Sequence, residues 1–185
     1  MTPLPRAFFE DDPVPVARAL LGATLVVSQP AGILRARIVE TEAYRGKEDL
    51  ACHAAKGRTA RTDPMFGPPG HAYVYLIYGM YELLNVVTWP EGRPAAVLIR
   101  AVEPPSTLAL RTDGPGKLTR ALGIGRALNR QDLCAVDSPL SLWPGESVPD
   151  AHLGVGPRIG VDYAGEWATR PWRFWDARSK WVSRR

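Results

Sequence analysis

Apolar residues fall in short runs of strand length, separated by turns rich in glycine and proline. Within a strand, alternate side chains lie on opposite faces. Residues 23–28 and 34–44 read as strands joined by a turn at 30–32. Residues 72–78 and 81–89, rich in Tyr and Val, read as a tight hairpin with Gly79 and Met80 between the strands. Residues 95–102 form another strand, ended by Pro104 and Pro105, and 138–143 and 158–162 read as two more. The helical period is rarer. Residues 12–22 fit a short helix, with Asp11 or Asp12 as cap, Pro13 in the first turn and Gly22 as stop. Residues 116–122 fit a second helix, 48–56 one or two helical turns, and 57–70 a loop. No repeat, low-complexity tract or linker divides the chain. Strands outnumber helices and their connections are short, which predicts an α+β fold, one domain over residues 1–185, with a mainly antiparallel sheet.

Composition adds bounds. A chain of 185 residues can bury a sizeable core, and 45% hydrophobic with 23% charged residues is ordinary for a globular protein. The net charge of +4 favours an acidic partner such as nucleic acid or an anionic membrane. Four of the 23 basic residues are lysines, so 19 are arginines. Arginine forks bind phosphate bidentately. A GC-rich genome raises Arg, Ala, Gly and Pro together, and it is the larger cause of the bias. Cys52 and Cys134 do not make a disulfide framework, and His53, His71 and His152 lack ligand spacing, so no metal site is expected. The first ten residues have no apolar core, and no apolar run nears the ~20 residues of a membrane span. A cytoplasmic setting is the expectation.

Three stretches could carry chemistry. In RIVETEAY, residues 37–44, Glu40 and Glu42 are two apart and so share one face of a strand, with Tyr44 following on that face. Two neighbouring carboxylates repel, so one calls for a hydrogen-bonding or charged partner; a solvated polar face is the plainer reading. In AYVYLIYGMYELLN, residues 72–85, four tyrosines fit cross-strand packing. Tyr78, beside the Gly-Met turn, is placed either to be exposed or to wedge into a partner, as in proteins that fill a gap in a base stack. Asn85 sits in an apolar run and is either a satisfied core amide or a specificity group. Arg100, within VLIRAV, needs a partner if buried, for which Glu42 or a phosphate is suitable. Tyr44, Tyr75 and His53 could supply flat surfaces around a purine.

Taken in order, RIVETEAY, His53, MFGPPGHAYVYLIYGMYELLN, VLIRAVEP, GPGKLTRALGI and RIGVDYAGEWATRPWRFW closely resemble the alkyladenine (3-methyladenine) DNA glycosylase family, over about residues 19–175. The resemblance implies a curved sheet with flanking helices and a protruding hairpin. It also implies a cofactor-free enzyme that flips a damaged purine from double-stranded DNA and hydrolyses its bond to the sugar. Position by position, Glu42 matches the general base that activates water, and Arg100 the arginine that helps hold that water. Tyr44, His53 and Tyr75 match the walls that contact the flipped base. Tyr78 matches the residue inserted where the base has left. Asn85 matches the amide that discriminates against the guanine amino group. Met65 and Leu98 match apolar positions near the intercalation site. His71 and Glu82 are variable positions flanking the hairpin, expected to tune substrate range. The chain resembles the compact bacterial-type form, and a monomer with no membrane association is expected.

The rival readings are a non-catalytic nucleic-acid-binding module with a tyrosine stacking platform, and a formyltransferase-like enzyme on a related fold. A buried Glu42 argues against the first, because a carboxylate repels DNA unless it has a use. The missing cofactor motif argues against the second.

Overall fold

A computed structural model describes residues 2–106 and 109–184. Its centre is one sheet, built from β1 (Thr24–Gln29), β2 (Gly32–Arg45), β3 (Ala72–Ile77), β4 (Tyr81–Thr88), β5 (Ala95–Glu103), β6 (Leu140–Trp143), β7 (Leu153–Gly156) and β8 (Arg173–Asp176). The order is β3-β4-β5-β2-β1-β6, with β8 pairing both β2 and β7, and the paired strands run antiparallel. The 14-residue β2 organises the rest. One edge of β2 pairs with β5; the other pairs first with β1 and then, at Glu40–Glu42, with β8.

Helix α1 (Pro13–Ala19) packs against β2, β5 and β8, and α2 (Pro115–Ala121) against β4 and β5. Asp12 caps α1, its carboxylate accepting from the Val14 N–H at 3.0 Å, and Pro13 starts the helix where no amide donor is required. Alternation divides each central strand between two faces. Val74, Leu84, Val97 and Ile99 join Leu20 and Leu118 in the core under the helices. Tyr73, Tyr75, Asn85, Ala96, Leu98 and Arg100 face the other way and line a cavity.

An irregularity in the pairing of β2 with β5 sets what that cavity contains. Register against β5 shifts between Ile38 and Thr41. Before the bulge, Ala36 and Ile38 face the helix-side core; after it, Ala43 does, and Thr41 donates to the Ala17 carbonyl of α1 at 2.7 Å. The even-numbered residues therefore change sides. Without that change of face, Glu42 and Tyr44 would point into the apolar core, where an ionised carboxylate is costly.

The α+β class, the antiparallel sheet and the hairpin agree with the sequence reading; several elements do not. Residues 158–162 form no strand, because Arg158 turns inward to buried partners and Gly160 takes φ +75°. The strands near there are β7 and β8 instead. Residues 48–56 yield only a 3-10 turn at His53–Lys56, since the Asp49 carboxylate binds the Arg45 and Ala51 amides and holds the preceding residues in a turn. The 57–70 loop contains a further 3-10 turn, Asp63–Phe66, and α1 stops at Ala19. The hairpin connection has three residues, Tyr78, Gly79 and Met80, rather than two.

Candidate active site

The cavity has a volume of about 410 Å³, within the range for small-molecule sites. Tyr44, His53, Tyr75, Asn85, Leu98 and Arg100 line it, and Tyr78 stands at its mouth. Glu42 lies under the cavity wall with 0% of its surface exposed. Its Oε1 accepts from the backbone N–H of Ile159 at 2.7 Å and lies 3.3 Å from Arg100 Nη1. Its Oε2 accepts from the Tyr44 hydroxyl at 2.8 Å. Three cavity-lining residues, from β2, β5 and the loop after β7, thus converge on one carboxylate. Burial disfavours the Arg100 charge, but Glu42 and Glu40 outweigh it and hold the guanidinium protonated above its ordinary range. Burial, reinforced by the Glu42 charge, pushes the Tyr44 phenol well up, so Tyr44 is the donor in its hydrogen bond.

The aromatic wall is fixed from behind. Arg158 lies 4.9 Å from the Tyr44 ring and 5.0 Å from that of Trp172. Its guanidinium donates to both oxygens of Asp49, at 2.5 and 2.8 Å, and to the Ala43 and Trp167 carbonyls. Its position also places the next residue, Ile159, to donate to Glu42. Elsewhere in the cavity lining, His53 and Tyr75 meet edge to face at 4.5 Å, and His53 Nδ1 is 3.0 Å from the Tyr73 hydroxyl. Burial, with help from Arg61 and Lys56, lowers the His53 pKa to about 4, so this wall is uncharged at neutral pH. Asn85 donates from Nδ2 to the Tyr73 carbonyl at 3.1 Å, which fixes its amide at the cavity edge.

Tyr78 is 82% exposed and has φ +52°. Gly79 follows with φ +69°, and the Met80 N–H donates to the Ile77 carbonyl at 3.2 Å. Two successive positive φ values give the turn its twist, and a bulky residue in that region carries strain. Met65 and Leu98 line the same cavity but are buried, which suits a cavity floor better than contact with a base stack. His71 and Glu82 have partners away from the cavity: His71 contacts Arg6, and Glu82 accepts from the backbone and side chain of Arg126.

Sequence reasoning missed four contributors: the Ile159 amide, the Arg158–Asp49 pair, Lys117 and Tyr163. Lys117 and the 72%-exposed Tyr163 both line the cavity. The blocks GPGKLTRALGI and RIGVDYAGEW contain all but Asp49, yet nothing in their spacing shows that they fold back onto RIVETEAY.

A buried carboxylate gripped by donors beneath an aromatic cavity defines an enzyme site more readily than a passive stacking surface. Residues 7–180 match the family model described as methylpurine-DNA glycosylase. A relative from Myxococcus xanthus is 56% identical over 98% of this chain and 93% of its own length. One from Methanocella arvoryzae is 54% identical over 100% and 98%, and one from Legionella pneumophila 48% identical over the whole of both chains. Each is provisionally named a 3-methyladenine DNA glycosylase. The chain belongs to the methylpurine-DNA glycosylase family, DNA-repair hydrolases acting on N-glycosyl bonds. No helix among the described residues is long and apolar enough to cross a membrane.

Proposed function

We propose that this chain excises alkylated and deaminated purines (3-methyladenine, 7-methylguanine, hypoxanthine and ethenoadenine) from double-stranded DNA, acting as a monomer on a flipped-out nucleotide, with Glu42 activating the attacking water. The observation that carries the reading is the convergence of Arg100, Tyr44 and the Ile159 amide on a fully buried Glu42 beneath the cavity.

Chemistry on a purine inside a duplex requires extrusion, which is cheapest for a poorly paired or damaged base. The extruded base enters between Tyr44 on one side and His53 with Tyr75 on the other. An alkylated purine carries positive charge and is attracted to electron-rich ring faces. Neutral His53 adds no repulsion. Asn85, fixed at the cavity edge, selects against an exocyclic amino group by contact. Tyr78 fills the gap in the stack, and the strain of its turn holds the ring outward.

In the chemical step the C1′–N bond breaks and its electron pair leaves with the base. Water oxygen bonds to C1′ and its proton passes to Glu42. The carboxylate charge stabilises the oxocarbenium character of the sugar. Oε2 accepts from Tyr44 and retains a second lone pair, which a water entering beside the phenol can use. The test is incubation of the pure protein with a duplex holding one hypoxanthine, then alkali. Cleavage at the lesion supports the proposal. Binding without cleavage, on this duplex and on methylated DNA, would favour the stacking-module reading.

A further inference from the structure

Glu40 is fully buried, carries a full set of partners, and has no step in the reaction above. Its Oε1 accepts from Arg100 Nε at 3.2 Å and from Arg173 Nη1 at 3.1 Å. Its Oε2 accepts from the Ser183 amide at 2.7 Å. Arg100 therefore spans both glutamates, with Nε on Glu40 and Nη1 on Glu42. Arg173 is further fixed by the Pro157 and Arg184 carbonyls, at 2.9 and 2.8 Å. Burying four charged groups so close together is costly unless they are arranged to use one another.

The arrangement solves a conflict in the site. Arg100 must sit against Glu42 to orient it, but an arginine wholly committed to one carboxylate weakens it as a proton acceptor. We propose that Glu40 is a positioning residue: it takes up part of the Arg100 charge and aims the guanidinium, so that Glu42 is held in place yet remains basic. This rests on Glu42 being the base.

The charges around Glu42 make the sign of the effect definite. Arg100 faces it from β5, Tyr44 from its own strand, Tyr75 from β3 and Arg158 from the loop after β7. Arg158 is offset by Asp49, and burial keeps both phenols protonated. Arg173, opposite Glu42 in the β2–β8 register, completes the set. Glu40 and Glu42 balance Arg100 and Arg173, so the cluster is neutral overall. Glu40→Gln leaves it net positive, and Arg173→Gln leaves it net negative.

The test is single-turnover excision of hypoxanthine across pH for the full chain, E40Q, R173Q and E42Q, with thermal melting and lesion-duplex affinity measured alongside. E40Q should be slower at its plateau by roughly tenfold, with its acid limb moved to lower pH. R173Q should move that limb the opposite way, and lesion affinity should change little in either. If both limbs stay at the parent pH, or if neither variant folds, the cluster is purely structural and the proposal is overturned. If E42Q excises at the parent rate, the base assignment fails instead. An inactive E42Q with an unmoved E40Q limb removes the Glu40 role alone.

Discussion

The Tyr44 hydroxyl donates to Glu42 Oε2 at 2.8 Å while the Tyr44 ring forms one wall of the cavity. One side chain thus joins the cavity wall to the carboxylate. Tyr44→Phe keeps the ring and removes the donor. A single hydrogen bond to a charged group contributes about 1.5–3 kcal/mol, so the excision rate should fall by roughly 10- to 100-fold. Lesion affinity should stay close to the parent, because the stacking face is intact. An equal loss in affinity and rate would show that the ring, and not the hydroxyl, matters.

Tyr78 carries strain at φ +52° and is 82% exposed, so the fold gains little from its ring. Tyr78→Gly should leave the melting temperature unchanged or raise it, since glycine adopts that backbone freely. Turnover on a fully paired lesion should fall, and fall less on a lesion already in a mismatch, where less stacking has to be replaced. A destabilised variant with uniform loss on both substrates would make Tyr78 ordinary sheet packing.

Legibility in the sequence followed locality. The period-two strands around Glu42 and the hairpin were readable because their pattern is local and their turns carry glycine. Strands β7 and β8 were not: each has four residues, and Gly154 breaks the apolar pattern. That glycine lies under the Trp175 ring, where an added Cβ would come within 2.0 Å of the indole. Residues 158–162 mimic a strand by alternation, but Arg158 is pulled inward by Asp49, 109 positions away in sequence. The Glu40–Glu42 pair could be seen in RIVETEAY. The irregularity that turns Glu42 away from the helix-side core could not, because it lies in the pairing with β5.

His53 makes stability depend on pH. In the fold its pKa is about 4, lowered by burial and then by Arg61 and Lys56, against 6.5 in the unfolded chain. Above about 6.5 the ring is neutral in both states and contributes no pH dependence. Between 6.5 and 4 the unfolded chain binds a proton that the fold refuses, so stability falls as pH falls. Melting curves through this window should decline less steeply for His53→Gln than for the parent. Equal slopes would contradict a neutral, buried His53.

Lys117 lines the cavity and is the amine to test for covalent chemistry. Its Nζ donates to Asp113 Oδ2 at 2.8 Å, and the hydrogen bond from Arg111, followed by that from Lys117, holds Asp113 well below the usual carboxylate range. An ammonium ion paired in this way is a poor nucleophile. Borohydride added during turnover should therefore trap no protein–DNA adduct, as expected for water attack alone. A trapped adduct lost in Lys117→Gln would identify a Schiff-base route.

In the proposed reaction the carboxylate of Glu42 is the base. Glu42→Gln keeps its length, and its one carbonyl oxygen can still accept from the Ile159 amide, but its NH2 cannot accept from Tyr44 and the side chain cannot take a proton from water. Single-turnover excision of hypoxanthine should fall by at least ~100-fold, while affinity for the same duplex stays near the parent value. Excision at the parent rate would contradict the claim and transfer the role of base to another group.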